Sequence, residues 1–193
     1  KPIVLYLGRI DKDKSIDVII KAIPLVSKEI EVHFAIAGGG DELVKIKSLA
    51  QKIGVEKSVT FLGSIKHQSD DLPLVYQAAS LFAMPSCIET QSIVTLEALS
   101  SGLPLVAANA TSMPEFIDHG NNGLLFDPAD SEMMAKQIIS ILKDPAKAKS
   151  MGEGSRKYAL MHSIEKTYEK FEKLYELVVS RFDKIPGNEI ALE

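Results

Sequence analysis

Short, unbroken apolar runs recur along this chain of 193 residues, and each is followed by a longer amphipathic stretch. That alternation constrains the fold more than any other feature. A strand read as a continuous apolar run, rather than an alternating one, is covered on both faces. Strands alternating with helices form right-handed crossovers in a parallel sheet. The runs Ile3–Leu7, Val32–Ala37, Val59–Leu62, Leu81–Met84, Leu105–Ala108 and Gly123–Phe126 read as strands. Between them, a helix capped by Ser15 or Asp17 is expected to reach about Ile30, bent or shortened at Pro24. A second helix is expected from Asp41 through Ile53, ended by Gly54. Shorter ones are expected over Leu72–Ala79, Ser92–Ser100 and Met113–Ile117, and three closing helices over Ser131–Lys143, Ala146–Met161 and Ile164–Arg181. The fold class is thus α/β: a doubly wound, mostly parallel sheet of about six strands, with helices on both faces and extra helices at the C-terminus. Residues 1–193 read as one domain, with a closing helix over 164–183 and a frayed tail over 184–193. The chain opens on Lys1-Pro2 directly before a strand, which reads as a fragment of a longer protein.

Composition narrows the function. Hydrophobic residues are 46% of the chain and charged residues 25%, the balance of a globular protein. With 22 Lys+Arg against 26 Asp+Glu the net charge is −4, which argues against a nucleic-acid partner, since counterion release needs a basic face. It lends no support to a polybasic membrane anchor. Cys87 is the single cysteine, so an internal disulfide is excluded and a reducing, cytoplasmic setting is the simplest expectation.

In a doubly wound sheet, ligands bind beyond the carboxyl ends of the strands. After the first strand come Gly8-Arg9-Ile10-Asp11-Lys12-Asp13-Lys14-Ser15. Arginine offers a planar fork suited to phosphate oxygens and lysine a compact point charge, so Arg9 and Lys14 can hold a diphosphate; the alternative is two solvated loop cations neutralised by Asp11 and Asp13. Asp11 and Asp13 also form an Asp-x-Asp triplet, better read as an acidic turn than as a metal site, because lysines interrupt and follow it. Gly38-Gly39-Gly40 lets a ligand approach the backbone closely or simply makes a tight turn, and Leu43 stands where a dinucleotide fingerprint needs its last glycine. Glu89 precedes a helix and Glu97 lies inside it. Carboxylates accept bonds from the hydroxyls of sugars, and amides near Gln91 to Val94 add donors at the helix start. Ile93, Val94, Leu96, Ala98 and Leu99 suggest that this helix is largely buried, and a buried carboxylate needs partners. Cys87 has no base nearby in sequence, and the four histidines have no metal-ligand spacing.

Taken together, Gly8-Arg9…Lys14, Ala37-Gly38-Gly39-Gly40-Asp41-Glu42, Val59-Thr60-Phe61-Leu62-Gly63, and Pro85-Ser86-x-x-Glu89 through Glu97-Ala98-Leu99-Ser100-Ser101-Gly102-Leu103-Pro104 resemble the family-4 glycosyltransferases, which place two Rossmann-like halves across a cleft (the GT-B fold). The resemblance covers nearly all of residues 1–145, in order, and is to the C-terminal, donor-binding half. It implies transfer of a hexose from a nucleotide diphosphate sugar, UDP- or GDP-linked, with retention and without a metal or other cofactor. It implies that Arg9 and Lys14 bind the diphosphate and stabilise the leaving charge. By the same resemblance, Glu97 holds the ribose, Gly63–Ile65 and the turn at Gly38 and Gly39 border the base, Gly8 is donor-binding, and Glu89 meets the transferred sugar with help from backbone amides at Thr90, Gln91, Ser92 and Ile93. The acceptor, lipid or saccharide, and any membrane association at the inner face would come through the other half. Three positions depart from the family pattern: Ser15 and Ser92 stand where glycines are usual, and Asn109-Ala110-Thr111-Ser112 replaces a double-glycine turn. Alternatives of another class are a nucleotide-binding module inactive as a fragment, or an epimerase or phosphorylase on the same fold.

Overall fold

A computed structural model describes residues 1–182, so the expected tail over 184–193 and the last residue of the expected closing helix lie outside the described residues. The chain divides into two compact units, one of residues 1–158 and one beginning at Ala159.

The first unit is built on six strands: β1 (Ile3–Leu7), β2 (His33–Ala37), β3 (Val59–Gly63), β4 (Leu81–Met84), β5 (Leu105–Ala108) and β6 (Gly123–Phe126). All neighbouring pairs are parallel, in the order β3-β2-β1-β4-β5-β6, so the sheet is wholly rather than mostly parallel. β1 sets the register on both sides, with Val4 opposite Phe34 in β2 and Leu81 in β4. Every residue of β4 and β5 is buried, which is why these runs carry no polar alternation. β3 lies at an edge and exposes Thr60 and Leu62.

The helices are α1 (Ile16–Ser27), α2 (Leu43–Ile53), α3 (Asp71–Ala78), α4 (Ile93–Ser100), α5 (Met113–Phe116), α6 (Ser131–Leu142) and α7 (Pro145–Leu160). α1 packs against α2 and α6 and buries Ile16, Val18, Ile19, Ile20, Ala22, Ile23 and Val26. It continues past Pro24 but ends at Ser27, short of Ile30. Proline removes one intrahelical donor and crowds the preceding turn, and the chain leaves the helix within a turn of it. The expected cap also differs. Ser15 precedes α1 but its side chain accepts no cap bond, because its backbone is left-handed at φ 51° and its hydroxyl lies 3.3 Å from Cys87 Sγ. Asp17 sits inside the first turn, paired with Lys21. α2 starts at Leu43 instead of Asp41, since Gly40 to Glu42 form a turn whose amide at Glu42 bonds to the Ile10 carbonyl. Gly54 ends α2 in the left-handed conformation, as expected.

The second unit contains α8 (Ile164–Phe182), which has no buried residue. Phe171 and Tyr175 sit one turn apart on it, ring centroids 6.2 Å from each other.

The order of strands positions the site. The chain runs outward from β1 to β3, then returns to lay β4 against the other side of β1 and runs outward again. Connections therefore leave β1 and β4 in opposite directions, opening a crevice beyond their carboxyl ends. The turn after β2 is pressed into the same region. Gly38 has φ +143°, and a Cβ there would meet the Gly8 carbonyl oxygen at 1.8 Å. Backbone bonds tie these turns together: Gly8 N to Ala37 O at 3.0 Å, Ile10 N to Gly39 O at 2.8 Å and Gly38 N to Gly63 O at 2.7 Å.

Because nothing at that contact can yield except backbone, Gly38→Ala is expected to destabilise the protein by about 3 kcal/mol or more. Gly54→Ala, also at positive φ but with nothing within 4 Å, is expected to cost only about 1 kcal/mol. Chemical denaturation of the two variants checks the contrast; equal losses would mean that the close approach of Gly38 to Gly8 does not limit the fold.

Candidate active site

The loops after β1 and β4 are sewn to one another. Lys14 ends a 3-10 turn (Lys12–Lys14), and its ammonium is held at 2.7 Å from Glu89 Oε1, 3.0 Å from the Ile88 carbonyl and 3.4 Å from Asp13 Oδ2. The two ends of the Lys14–Glu89 pair are only 12% and 13% exposed. Cys87 N donates to the Asp13 carbonyl at 3.2 Å, and the buried Ser86 hydroxyl lies 3.3 Å from the same carbonyl and 3.0 Å from that of Ile88. On its other side Glu89 is held by the loop after β5: its amide donates to Thr111 Oγ1 at 2.9 Å, and its carbonyl accepts from the Ser112 hydroxyl at 3.0 Å. Thr111 does this from a left-handed backbone, φ 45°.

Arg9 is arranged differently. Its guanidinium is 69% exposed, bonded to Asp11 and 3.7 Å from Asp13. Tyr6, buried in β1, reaches out of the core to donate its hydroxyl to the Arg9 carbonyl at 2.6 Å. Burial first, then the charges of Glu89, Asp13 and Asp11, push the Tyr6 phenol far above its ordinary range, so it stays a neutral donor. Three carboxylates (Asp11, Asp13 and Glu89) thus occupy the hydrogen-bonding positions of two cations, Arg9 and Lys14.

A cavity of about 250 Å³ opens here, with Arg9, Lys14, Glu89, Gln91, Ser92 and Ile93 in its wall. A second, of about 270 Å³, is bounded by Gly38, Gly39, Ser64 and Ile65 and shares Gly8 and Arg9 with the first. The structure therefore gathers most of the residues singled out from the sequence around two adjoining hollows. Two stand apart. Thr90 is exposed and lines neither hollow, and Glu97 lies beyond both walls. Glu97 is one turn along α4 from Val94, which does line the first. Its Oε2 accepts from the Tyr76 hydroxyl at 2.7 Å and its Oε1 lies 3.3 Å from His67 Nδ1. Burial, followed by the hydrogen bond and charge of Glu97, drives the Tyr76 phenol well above the usual tyrosine range. Ile93 is not buried as expected: it is 59% exposed, because the first turn of α4 opens onto the crevice and only Thr95, Ala98 and Leu99 face the core. Its amide is already bonded to the Gln91 carbonyl.

Sequence reasoning passed over Tyr6, Ser86, Tyr76, Thr111 and Ser112 as site residues. Ser86, Thr111 and Ser112 carried a signal, since they follow β4 and β5 on the ligand edge. The tyrosines carried none, because each sits in an apolar stretch and only its hydroxyl is functional. Among the described residues no group of three or more His, Cys, Asp or Glu is placed to hold a metal ion, and no helix is long and apolar enough to cross a membrane.

Lys14→Met or Glu89→Gln leaves its largely buried partner uncompensated. Each is expected to cost about 1–2 kcal/mol, and the double variant less than the two losses added, a coupling of about 1 kcal/mol in a denaturation double-mutant cycle. Additive losses would mean that the pair does not hold the loops together. Tyr6 and Tyr76 have folded-state pKa values above their ordinary value near 10. Their contribution to stability is complete below pH ~10 and is lost as pH rises past it, when only the unfolded chain releases those protons. Absorbance titration of the folded protein should therefore show both phenols still protonated near pH 11.

The model for "Glycosyl transferases group 1" matches residues 1–158. The GDP-mannose-dependent alpha-(1-6)-phosphatidylinositol monomannoside mannosyltransferase of Mycobacterium tuberculosis is 31% identical over 166 residues, covering 82% of this chain and 43% of that protein. Among solved structures, the sucrose-phosphate synthase of Thermosynechococcus elongatus is similar with a TM-score of 0.83 at 29% identity, over 94% of this chain and 46% of that one. Anabaena Alr3699/HepE in complex with UDP is similar with a TM-score of 0.79 at 25% identity, over 90% of this chain and 48% of that one. The chain thus spans less than half the length of these relatives. A parallel sheet with its charged loops at the β1–β4 crevice, matched by the family model over 158 residues, makes this chain a member of the group 1 glycosyl transferases.

Proposed function

We propose that this chain is the donor-binding half of a retaining, metal-independent glycosyltransferase that moves a hexose from a UDP- or GDP-linked sugar to a lipid or saccharide acceptor. One observation carries the reading: Arg9, Lys14 and Glu89, from loops 75 residues apart, meet around one cavity at the strand-order reversal. The relatives support the donor class, since one is named for dependence on GDP-mannose and a structural neighbour was solved with UDP-glucose.

In the proposed mechanism a diphosphate takes the place of the carboxylates now bonded to the two cations. Its oxygens accept from the Arg9 guanidinium and the Lys14 ammonium, with Gly8 leaving room for the approach. Glu89, released from Lys14, is then free to accept from hydroxyls of the sugar. Glu97 takes the ribose, and Gly38, Gly39 and Ile65 border the nucleotide. As the bond between the anomeric carbon and the phosphate oxygen breaks, its electron pair goes to that oxygen, and the two cations stabilise the charge. The acceptor hydroxyl oxygen bonds to the anomeric carbon on the same face and gives its proton to the departing phosphate. The acceptor and any contact with the inner face of a membrane belong to a facing half, and the cytoplasm is the setting that fits a nucleotide-sugar donor and a lone thiol.

Arg9 is exposed, so Arg9→Ala is expected to keep the fold while lowering kcat in the full-length protein by roughly 10²- to 10³-fold. Lys14→Ala is expected to do the same at temperatures where it stays folded. Assays of sugar transfer from UDP- and GDP-hexoses check this, and near-normal turnover by both variants would end the proposal. The isolated chain is expected to bind nucleotide in calorimetry without transferring sugar.

A further inference from the structure

Glu97 is held unequally on its two oxygens. Tyr76, from α3, is 2% exposed, and its ring packs 6.1 Å from that of Phe82, so it has little freedom to move. Its hydroxyl lies 2.7 Å from Glu97 Oε2 and 3.2 Å from the Val94 carbonyl. A hydroxyl has one proton, and the shorter, charge-assisted bond to the carboxylate takes it. The other oxygen is met by His67, whose side chain is 74% exposed, at 3.3 Å. An exposed side chain at that distance leaves at little cost. His67 follows Ile65, in the wall of the second hollow, by two residues, while Val94, in the wall of the first, shares the face of α4 with Glu97. The carboxylate therefore lies beside residues that border each hollow, with one oxygen anchored and the other lightly covered.

We propose that Tyr76 is a positioning residue that fixes the Glu97 carboxylate so that Oε1 can accept from a ribose hydroxyl, and that His67 is a displaceable cap on that oxygen in the unliganded protein. The inference rests on the reading of Glu97 as the ribose-binding group. It adds that discrimination between ribose and deoxyribose resides in a phenol that never touches the ligand. Without the Tyr76 hydroxyl the carboxylate can turn, and the gain from a ribose hydroxyl is lost while phosphate binding is kept.

Calorimetry on the full-length protein tests this with UDP, GDP and their 2′-deoxy and 3′-deoxy forms. The wild type is expected to favour the ribonucleotide over at least one deoxy form by about tenfold, the worth of one hydrogen bond to a charged group. In Tyr76→Phe that preference should shrink to about twofold, with affinity for the deoxy form unchanged. In His67→Ala affinity for the ribonucleotide should rise a few-fold, since no cap has to leave. Equal weakening of both nucleotides in Tyr76→Phe would show a merely structural tyrosine and overturn the proposal, as would an undiminished preference. If Tyr76→Phe does not fold, the exposed His67 still decides: weaker ribonucleotide binding in His67→Ala makes it a ligand contact rather than a cap and overturns the proposal. A wild type that binds the nucleotide but ignores the ribose hydroxyls instead removes the assignment of Glu97, and this inference with it.

Discussion

The Lys14 ammonium is the point on which the site depends. It leaves the loop after β1 and reaches the loop after β4, where Glu89 and the Ile88 carbonyl receive it. Those loops diverge by topology, since β1 and β4 are neighbours whose onward connections run opposite ways. Without a bond across the gap, two flexible segments would face each other over a crevice. With it, together with the Cys87 to Asp13 and Ser86 contacts, they form one wall. Glu89 in turn is fastened to Thr111 and Ser112, so three consecutive strand ends, β1, β4 and β5, share one rigid edge.

In the proposed reading that edge is set to receive an anion. Two cations are satisfied by side-chain carboxylates that are themselves close together, an arrangement costly to hold and easy to exchange. A diphosphate gathers its charged oxygens in one ligand, so in the proposed mechanism a single group meets both cations and frees Glu89. Lys14 and Arg9 are not equivalent in this. Lys14 is sheltered and fixed, whereas Arg9 lies exposed at the border of both hollows, paired with Asp11 and Asp13. Tyr6 and Tyr76 repeat one device at two places: each keeps its ring in the core and spends its hydroxyl on orienting the polar layer above, at the Arg9 carbonyl and the Glu97 carboxylate.

The sheet was legible in the sequence because burial on both faces leaves its central strands as almost unbroken apolar runs. Leu81–Met84 and Leu105–Ala108 show this most plainly. The edge of the sheet proposed to hold the donor was legible for a related reason, as glycines and paired charges gather in the turns after β1, β2 and β4. What escaped were contacts made by the tertiary fold. No local rule says that Tyr76 will meet Glu97, 21 residues on, or that Ser15 will turn to Cys87 rather than cap α1. Of the positions that depart from a glycine pattern, Ser92 has an ordinary backbone at φ −81°, whereas two others are instructive. Ser15 and Thr111 both have left-handed backbones, so the geometry that favours glycine persists although the residue does not. Each hydroxyl has a partner in the loop after β4, Cys87 for Ser15 and the Glu89 amide for Thr111, which offsets part of the strain. Ile93 misled because apolar character in a helix usually means core, whereas here the first turn of α4 borders an open crevice.

A crystal structure of the full-length protein with a bound nucleotide sugar addresses the exchange of carboxylate for phosphate most directly. The phosphate oxygens should lie within hydrogen-bond distance of the Lys14 ammonium and the Arg9 guanidinium, with the Lys14–Glu89 bond opened and the ribose against Glu97. A nucleotide seated elsewhere, with Lys14 still bonded to Glu89 and Arg9 still bonded to Asp11, would show that this edge of the sheet is a structural clasp and not the donor site.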